Sequence, residues 1–254
     1  MTVDTSEPTS AAAVTDRQVE SYRDRGFVRV TQVLTPAEVQ RYREALLHFS
    51  EHGTALSTEQ VFSQFVDVWR ADPAIAELTL NKRLAGIAAR LAGVPLRLWH
   101  DQMLIKPPHN GAPTEFHQDR PYWPHRSEHA LSAWIALVDV PVERGCMTFI
   151  PGSHRRRDLH AQNLNDSRSL VGMWPELEFA ERVTLPLRAG DCTFHNAFTA
   201  HTANANDTAD PRVAHVVIYT DADTIFTGGS HVVTDPLALR PGDVLPDDRF
   251  PRSG

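Results

Sequence analysis

The chain has 254 residues, 41% of them hydrophobic, which is enough for one well-buried core. A formal charge of -7 argues against nucleic acid or an anionic membrane surface as a partner, and no apolar run approaches the roughly 20 residues of a spanning helix. Two cysteines, Cys146 and Cys192, cannot build a disulfide framework, so a reduced, cytoplasmic setting with inert core thiols is expected.

Residues 1–15 are polar and rich in Ser, Thr and Ala. They read as a disordered leader ahead of a single domain over 16–254. Asp16 to Arg25 predicts a short helix and Phe27 to Val30 a strand. At Thr35-Pro36-Ala37-Glu38 an N-cap hydroxyl, a proline at the first helical position and a capping-box glutamate coincide. The amphipathic run Val39, Tyr42, Leu46, Leu47, Phe49 continues that helix. A further helix is expected from Asn81 to Ala92, stopped by Gly93.

From Leu96 the pattern changes to short β-like runs broken by Pro, Gly and Asn: Leu96–Lys106, Leu131–Val140, Met147–Ile150, Arg182–Leu187, Asp191–His195 and Val213–Tyr219. Helices first and strands after predict a mainly β domain with flanking helices. Its expected core is a double-stranded β-helix, a jelly roll of the cupin-like kind. The tail from Asp235, with Pro236, Pro241, Pro246 and Pro251, reads as a loop-rich extension.

Among thirteen histidines, the informative ones have a partner at a useful spacing. His117-Gln118-Asp119 places an imidazole and a carboxylate two residues apart; in extended chain both would project to one side, and the turn-rich stretch before them puts the pair where a strand begins. A third ligand must come from far along the chain. His195 and His201 are both candidates, and Arg212, eleven residues after His201 at the start of an apolar strand, favours His201. Two His and one carboxylate leave one face of an octahedral ion open, the pattern of non-haem Fe(II) oxygenases. An arginine on a neighbouring strand could take a distal carboxylate bidentately.

In order and spacing these residues resemble the phytanoyl-CoA dioxygenase family of iron(II)/2-oxoglutarate oxygenases, from roughly Gln18 to Tyr219. The resemblance is carried by Gln102-Met103-Leu104-Ile105-Lys106-Pro107-Pro108, His117-Gln118-Asp119, Trp134, Gly145-Cys146-Met147, Pro151-Gly152-Ser153-His154, and His201 with Asn204 and Arg212. It implies a jelly roll with iron at His117, Asp119 and His201. It also implies that Arg212 holds the far carboxylate of 2-oxoglutarate, that Gln102 and Trp134 line the co-substrate bed, and that O2 takes the remaining open position. Tyr122 and Trp123, close behind the metal motif, are expected to face substrate. Family members often carry a small hydroxyl residue two after the distal histidine. Here that position is Ala203, which leaves Thr202 to supply the hydroxyl or the co-substrate one hydrogen bond short. Related halogenases replace the triad carboxylate with a small residue, so Asp119 points to hydroxylation rather than halogenation.

The substrate is not written in the motifs. The leading expectation is a small natural product or free metabolite, by analogy with specialised metabolism. A CoA thioester is the second, favoured by the run Arg155-Arg156-Arg157. A non-catalytic metabolite-binding member of the fold is the third.

Overall fold

A computed structural model of the chain describes residues 14–56, 62–162, 166 and 168–253. Most of the expected leader, residues 1–13, falls outside these. Within them, Val14 is buried and Thr15 caps the first helix.

Helix α1 (Asp16–Arg25) opens on a capping box: the Thr15 hydroxyl accepts from the Gln18 N–H, and the Gln18 side chain accepts from the Thr15 N–H. It ends at Gly26, whose φ of 87° is left-handed; a Cβ there would lie 2.5 Å from both His154 Nδ1 and Thr199 Oγ1. Backbone angle and close approach both require glycine. The turn delivers the chain into strand β1 (Phe27–Val30). Helix α2 (Pro36–His52) repeats the capping box through Thr35 and Glu38. Strand β2 (Ser63–Val66) and helix α3 (Pro73–Thr79) follow, neither anticipated from the sequence, and then α4 (Lys82–Ala92), capped by Asn81 and closed by Gly93. The buried faces of α2, α3 and α4, through Tyr42, Leu46, Ile75, Leu78, Leu84 and Leu91, join one core with the strands.

The rest is built on antiparallel sheet, joined by loops, short 3-10 turns and a short helix, α5 (Ser169–Met173). Strands β3 (Leu96–Lys106), β4 (Thr114–His117), β5 (Leu131–Ala136), β6 (Met147–Phe149), β7 (Val183–Leu185), β8 (Cys192–Asn196), β9 (His201–Ala203), β10 (Arg212–Asp221) and β11 (Arg252–Ser253) divide between two sheets. The larger has the order β1-β8-β5-β10-β3-β11, with β2 also on β3, and the smaller β4-β9-β6-β7. This is the expected jelly roll. The expected strand Leu131–Val140 is shorter because the chain leaves the large sheet after Ala136; Val140 instead exchanges backbone hydrogen bonds with Leu187, just beyond β7 of the small sheet. Both cysteines are free and buried, and burial pushes the Cys146 thiol up to about 11. Among the described residues no helix is long and apolar enough to cross a membrane.

Side-chain alternation along the large sheet builds the floor of the site. Ile218 stands opposite Ser132 and His100, Val216 opposite Trp134 and Gln102, Arg212 opposite Lys106, and Ser132 opposite His195. The expected loop-rich tail is in part structural. β11 pairs with β3, and Phe250 is fully buried with its ring stacked on Trp99, centroids 5.2 Å apart and planes at 11°. Arg97, itself buried, donates to the carbonyls of Ala222 and Leu245 and reaches Asp247. Phe250→Ala is therefore expected to destabilise the protein by about 3–5 kcal/mol in urea unfolding, as for other buried large-to-small changes. A loss of under about 1 kcal/mol would show that the tail is not part of the core.

Candidate functional site

His117 closes β4, and Asp119 begins a single 3-10 turn with φ -71° and ψ -38°. The pair thus sits where a strand ends, not where one begins, and its convergence comes from a turn rather than from extended alternation. The β4–β9 register supplies the third group, since His117 is paired directly with His201. The imidazoles lie 4.3 Å apart between centroids. Their Nε2 atoms stand 3.6 Å (His117) and 3.7 Å (His201) from Asp119 Oδ1. These three ligand atoms all fall within 4.8 Å of one another, close enough to hold one metal ion.

The hydrogen bonds behind these atoms fit that use. His117 Nδ1 lies 2.8 Å from the Glu115 carbonyl and His201 Nδ1 2.9 Å from the Thr199 carbonyl. A carbonyl can only accept, so each Nδ1 carries a proton, and in the neutral ring it is Nε2 that presents a lone pair. Burial, with His117 alongside, pushes the His201 imidazole down to about 3 and keeps it neutral. At Asp119 burial alone would raise the carboxyl, but His201, His117 and His195 outweigh it and hold the group well below the usual carboxylate range. Two imidazoles and one carboxylate are a donor set suited to ferrous iron, with a face left open.

His195, the alternative ligand, serves differently. Its Nε2 lies 3.3 Å from Asp119 Oδ2, the oxygen that also accepts from the Ser132 hydroxyl at 2.9 Å. Neither residue received this role from the sequence, because it depends on the cross-strand pairing of Ser132 with His195. Gln118, between the two motif residues, is buried and anchors the turn: its N–H donates to Gln162 Oε1 at 2.8 Å and its side chain to the Phe198 carbonyl at 2.6 Å. His154 packs on Gly26 and hydrogen-bonds the Arg23 carbonyl at 3.1 Å, a structural position.

A cavity of about 290 Å³ opens over the triad. All the sequence-derived candidates line it: His117, Asp119, His201, Arg212, Gln102, Trp134, Tyr122 and Trp123. Ser132, His195, Thr114, Gln64 and His231 line it as well. Arg212 is 2% exposed, its guanidinium stands over the Trp134 ring at 5.3 Å from the centroid and donates from one terminal nitrogen to the Gly145 carbonyl at 3.4 Å, and among the described residues its Nε has no hydrogen-bond partner. Such a cation, unsatisfied in the interior, calls for an anion. Burial pushes it down to about 10, still charged at neutral pH. Lys106, by contrast, is fully engaged in structure, donating to the Ala112 and Asn204 carbonyls. Gln102 is steadied by Gln64, which donates to its Oε1 at 3.0 Å. Thr202 does not replace the hydroxyl missing at Ala203: it turns away from the cavity to donate to the Thr114 carbonyl, and Thr114, paired with Ala203, lines the cavity instead. The Tyr122 hydroxyl donates to the Gln162 carbonyl at 2.5 Å, which leaves its ring to the cavity.

A jelly roll carrying this site belongs among the non-haem iron oxygenases that depend on 2-oxoglutarate. Residues 22–214 match the family model described as Phytanoyl-CoA dioxygenase (PhyH), and the chain belongs to that family. Among solved structures it is similar to the non-heme alpha ketoglutarate dependent carbocyclase SnoK from nogalamycin biosynthesis. The two are 37% identical with a TM-score of 0.87, over 98% of this chain and 100% of that one. The epimerase SnoN, in complex with Fe3+, alpha ketoglutarate and nogalamycin RO, is 35% identical with a TM-score of 0.82, over 94% of this chain and 98% of that one. A curated relative, the probable alpha-ketoglutarate-dependent hypophosphite dioxygenase of Stutzerimonas stutzeri, is 23% identical over 225 residues, 81% of this chain and 78% of that protein.

The division of labour around Asp119 is open to measurement. Calorimetric Co(II) binding is expected to be lost in Asp119→Ala but only weakened, by about 10–100-fold, in His195→Ala, as for other residues that support a ligand from behind. Complete loss in His195→Ala would make it a ligand.

Proposed function

We propose that this protein is a tailoring oxygenase that oxidises a C–H bond of a small natural product. In this reading His117, Asp119 and His201 bind iron(II), Arg212 holds the far carboxylate of 2-oxoglutarate, and Gln102 and Trp134 form the bed on which the co-substrate lies. Tyr122 and Trp123 face the substrate. The observation that carries the reading is the partnerless Nε of buried Arg212 in the same cavity as the triad.

Iron with 2-oxoglutarate and O2 supplies an oxidant able to take hydrogen from an unactivated carbon. The protein's own residues do the rest. Ser132 and His195 hold Oδ2 of Asp119, so that Oδ1 stays aimed between the two imidazoles. Trp134 backs the Arg212 guanidinium, a stacking that fixes its plane for a two-point contact with a carboxylate. The register puts Trp134 and Val216 between the Ser132 level and Arg212, along the path such a co-substrate would span. Hydroxylation is the simplest outcome, while the carbocyclase and epimerase relatives indicate that other endings are within reach of this family.

The Arg155-Arg156-Arg157 run gives little support to a CoA thioester. Arg155 is paired with Asp24, Arg156 with Glu176 and Arg157 with Glu128, and none of the three lines the cavity.

Release of labelled CO2 from 2-oxoglutarate tests the proposal. With Fe(II) and air the intact protein is expected to release it and Asp119→Ala is not. Arg212→Met should raise the 2-oxoglutarate KM by about 10–100-fold, the weight of hydrogen bonds to a charged group. No CO2 from the intact protein would leave a binding module.

A further inference from the structure

Strand β10 runs along the cavity with Arg212 at one end and Ile218 at the other, six residues or roughly 20 Å apart in extended chain. Ser132, which holds Asp119, stands opposite Ile218. On the reading above, 2-oxoglutarate lies on the Arg212 side of Asp119, between that carboxylate and the guanidinium. The remaining space therefore has Tyr122, Trp123 and His231 for walls. His231 packs on His100 and Trp99, with ring centroids 5.3 Å and 5.2 Å away, and His100 is itself opposite Ile218. It stands at the end away from Arg212.

Among the described residues, none with a formal charge lines this end. Among the described residues lining the cavity, Arg212 is the only Arg or Lys and Asp119 the only carboxylate. An anionic substrate there would lose its hydration with no second cation to meet it. The polar group on offer is His231, and its orientation is fixed. The Val233 N–H donates to His231 Nδ1 at 3.3 Å, so Nδ1 is the bare nitrogen and the neutral ring carries its proton on Nε2. The backbone is tied down too. The His231 N–H donates to Asp235 Oδ1 at 2.9 Å, and its carbonyl accepts from the Thr234 and Asp235 N–H groups, each at 2.9 Å. Burial pushes the imidazole down to about 4 against the pull of Asp235, so it is neutral at neutral pH.

We infer that the substrate is an uncharged ring compound bearing an oxygen acceptor, and that His231 selects it by donating Nε2–H to that oxygen while the rings of Tyr122 and Trp123 pack on its faces. This rests on the 2-oxoglutarate reading, which fixes the end of the cavity left for substrate.

The test is anaerobic calorimetry on protein loaded with Fe(II) and 2-oxoglutarate, using indanone and indane, one bicycle with and without a carbonyl. Indanone is expected to bind about 3–10-fold tighter, the range of one neutral hydrogen bond. His231→Phe should bring indanone down to the affinity of indane, and His231→Gln, which keeps an N–H donor, should restore part of the preference. Equal affinities in the intact protein, binding of neither bicycle, a preference that survives in His231→Phe, or tighter binding of methylphosphonate than of indanone would each overturn it. Labelled CO2 released from the same samples on admitting air reports the co-substrate reading separately. Intact protein that releases CO2 yet fails to prefer indanone overturns the His231 assignment alone; intact protein that releases none removes the reading beneath it.

Discussion

A carboxylate recessed in a protein interior needs its charge met on every side, and Asp119 meets this demand by giving its two oxygens different neighbours. Oδ2 is held by the Ser132 hydroxyl and His195 Nε2, both on the large sheet. Oδ1 faces His117 and His201, paired across two strands of the small sheet. The residue therefore bridges the two halves of the jelly roll, and the lean of one sheet on the other sets how closely three ligand atoms can approach a common point. Each imidazole is in turn locked by a backbone carbonyl two residues earlier, so the orientation of both rings follows from the local chain path.

The helical layer takes part in this geometry at a distance. Gly26, at the end of α1, admits Thr199 and His154 at a spacing that no Cβ would allow. Thr199 donates to the Gly26 carbonyl at 2.8 Å and offers its own carbonyl to His201. A capped helix, a left-handed glycine, a tethered loop and the His201 imidazole are thus consecutive links. At the Arg212 end of the cavity, Nε is without a partner among the described residues, a buried cost that the proposed co-substrate would relieve.

Much of this was legible in the sequence where the signal was local or long. The cap at Thr35 lies where its hydroxyl predicts, and β3, eleven residues of one pattern, has the expected ends, whereas Thr15, read as the end of a leader, caps α1. That His117, Asp119 and His201 would converge, with Arg212 in the same cavity, was legible through their spacing and the family resemblance. Strands β4 and β9 were not, since three or four residues span too little alternation to show a period. Ser132 and His195 were missed because their meeting at Asp119 is a matter of cross-strand register, which no stretch of sequence carries alone. The tail misled because its prolines announce loops but do not reveal that Phe250 will stack on Trp99. His231 lies outside any regular strand, and its hydrogen-bonded turn becomes informative only once the ring is seen in the cavity.

The central claim, that His117, Asp119 and His201 bring iron(II) and 2-oxoglutarate together, is tested most directly by visible absorption under anaerobic conditions. Adding Fe(II) and then 2-oxoglutarate to the intact protein should develop a weak charge-transfer band, and Asp119→Ala should not develop it. A colourless mixture with the intact protein, or an undiminished band in Asp119→Ala, would contradict the account.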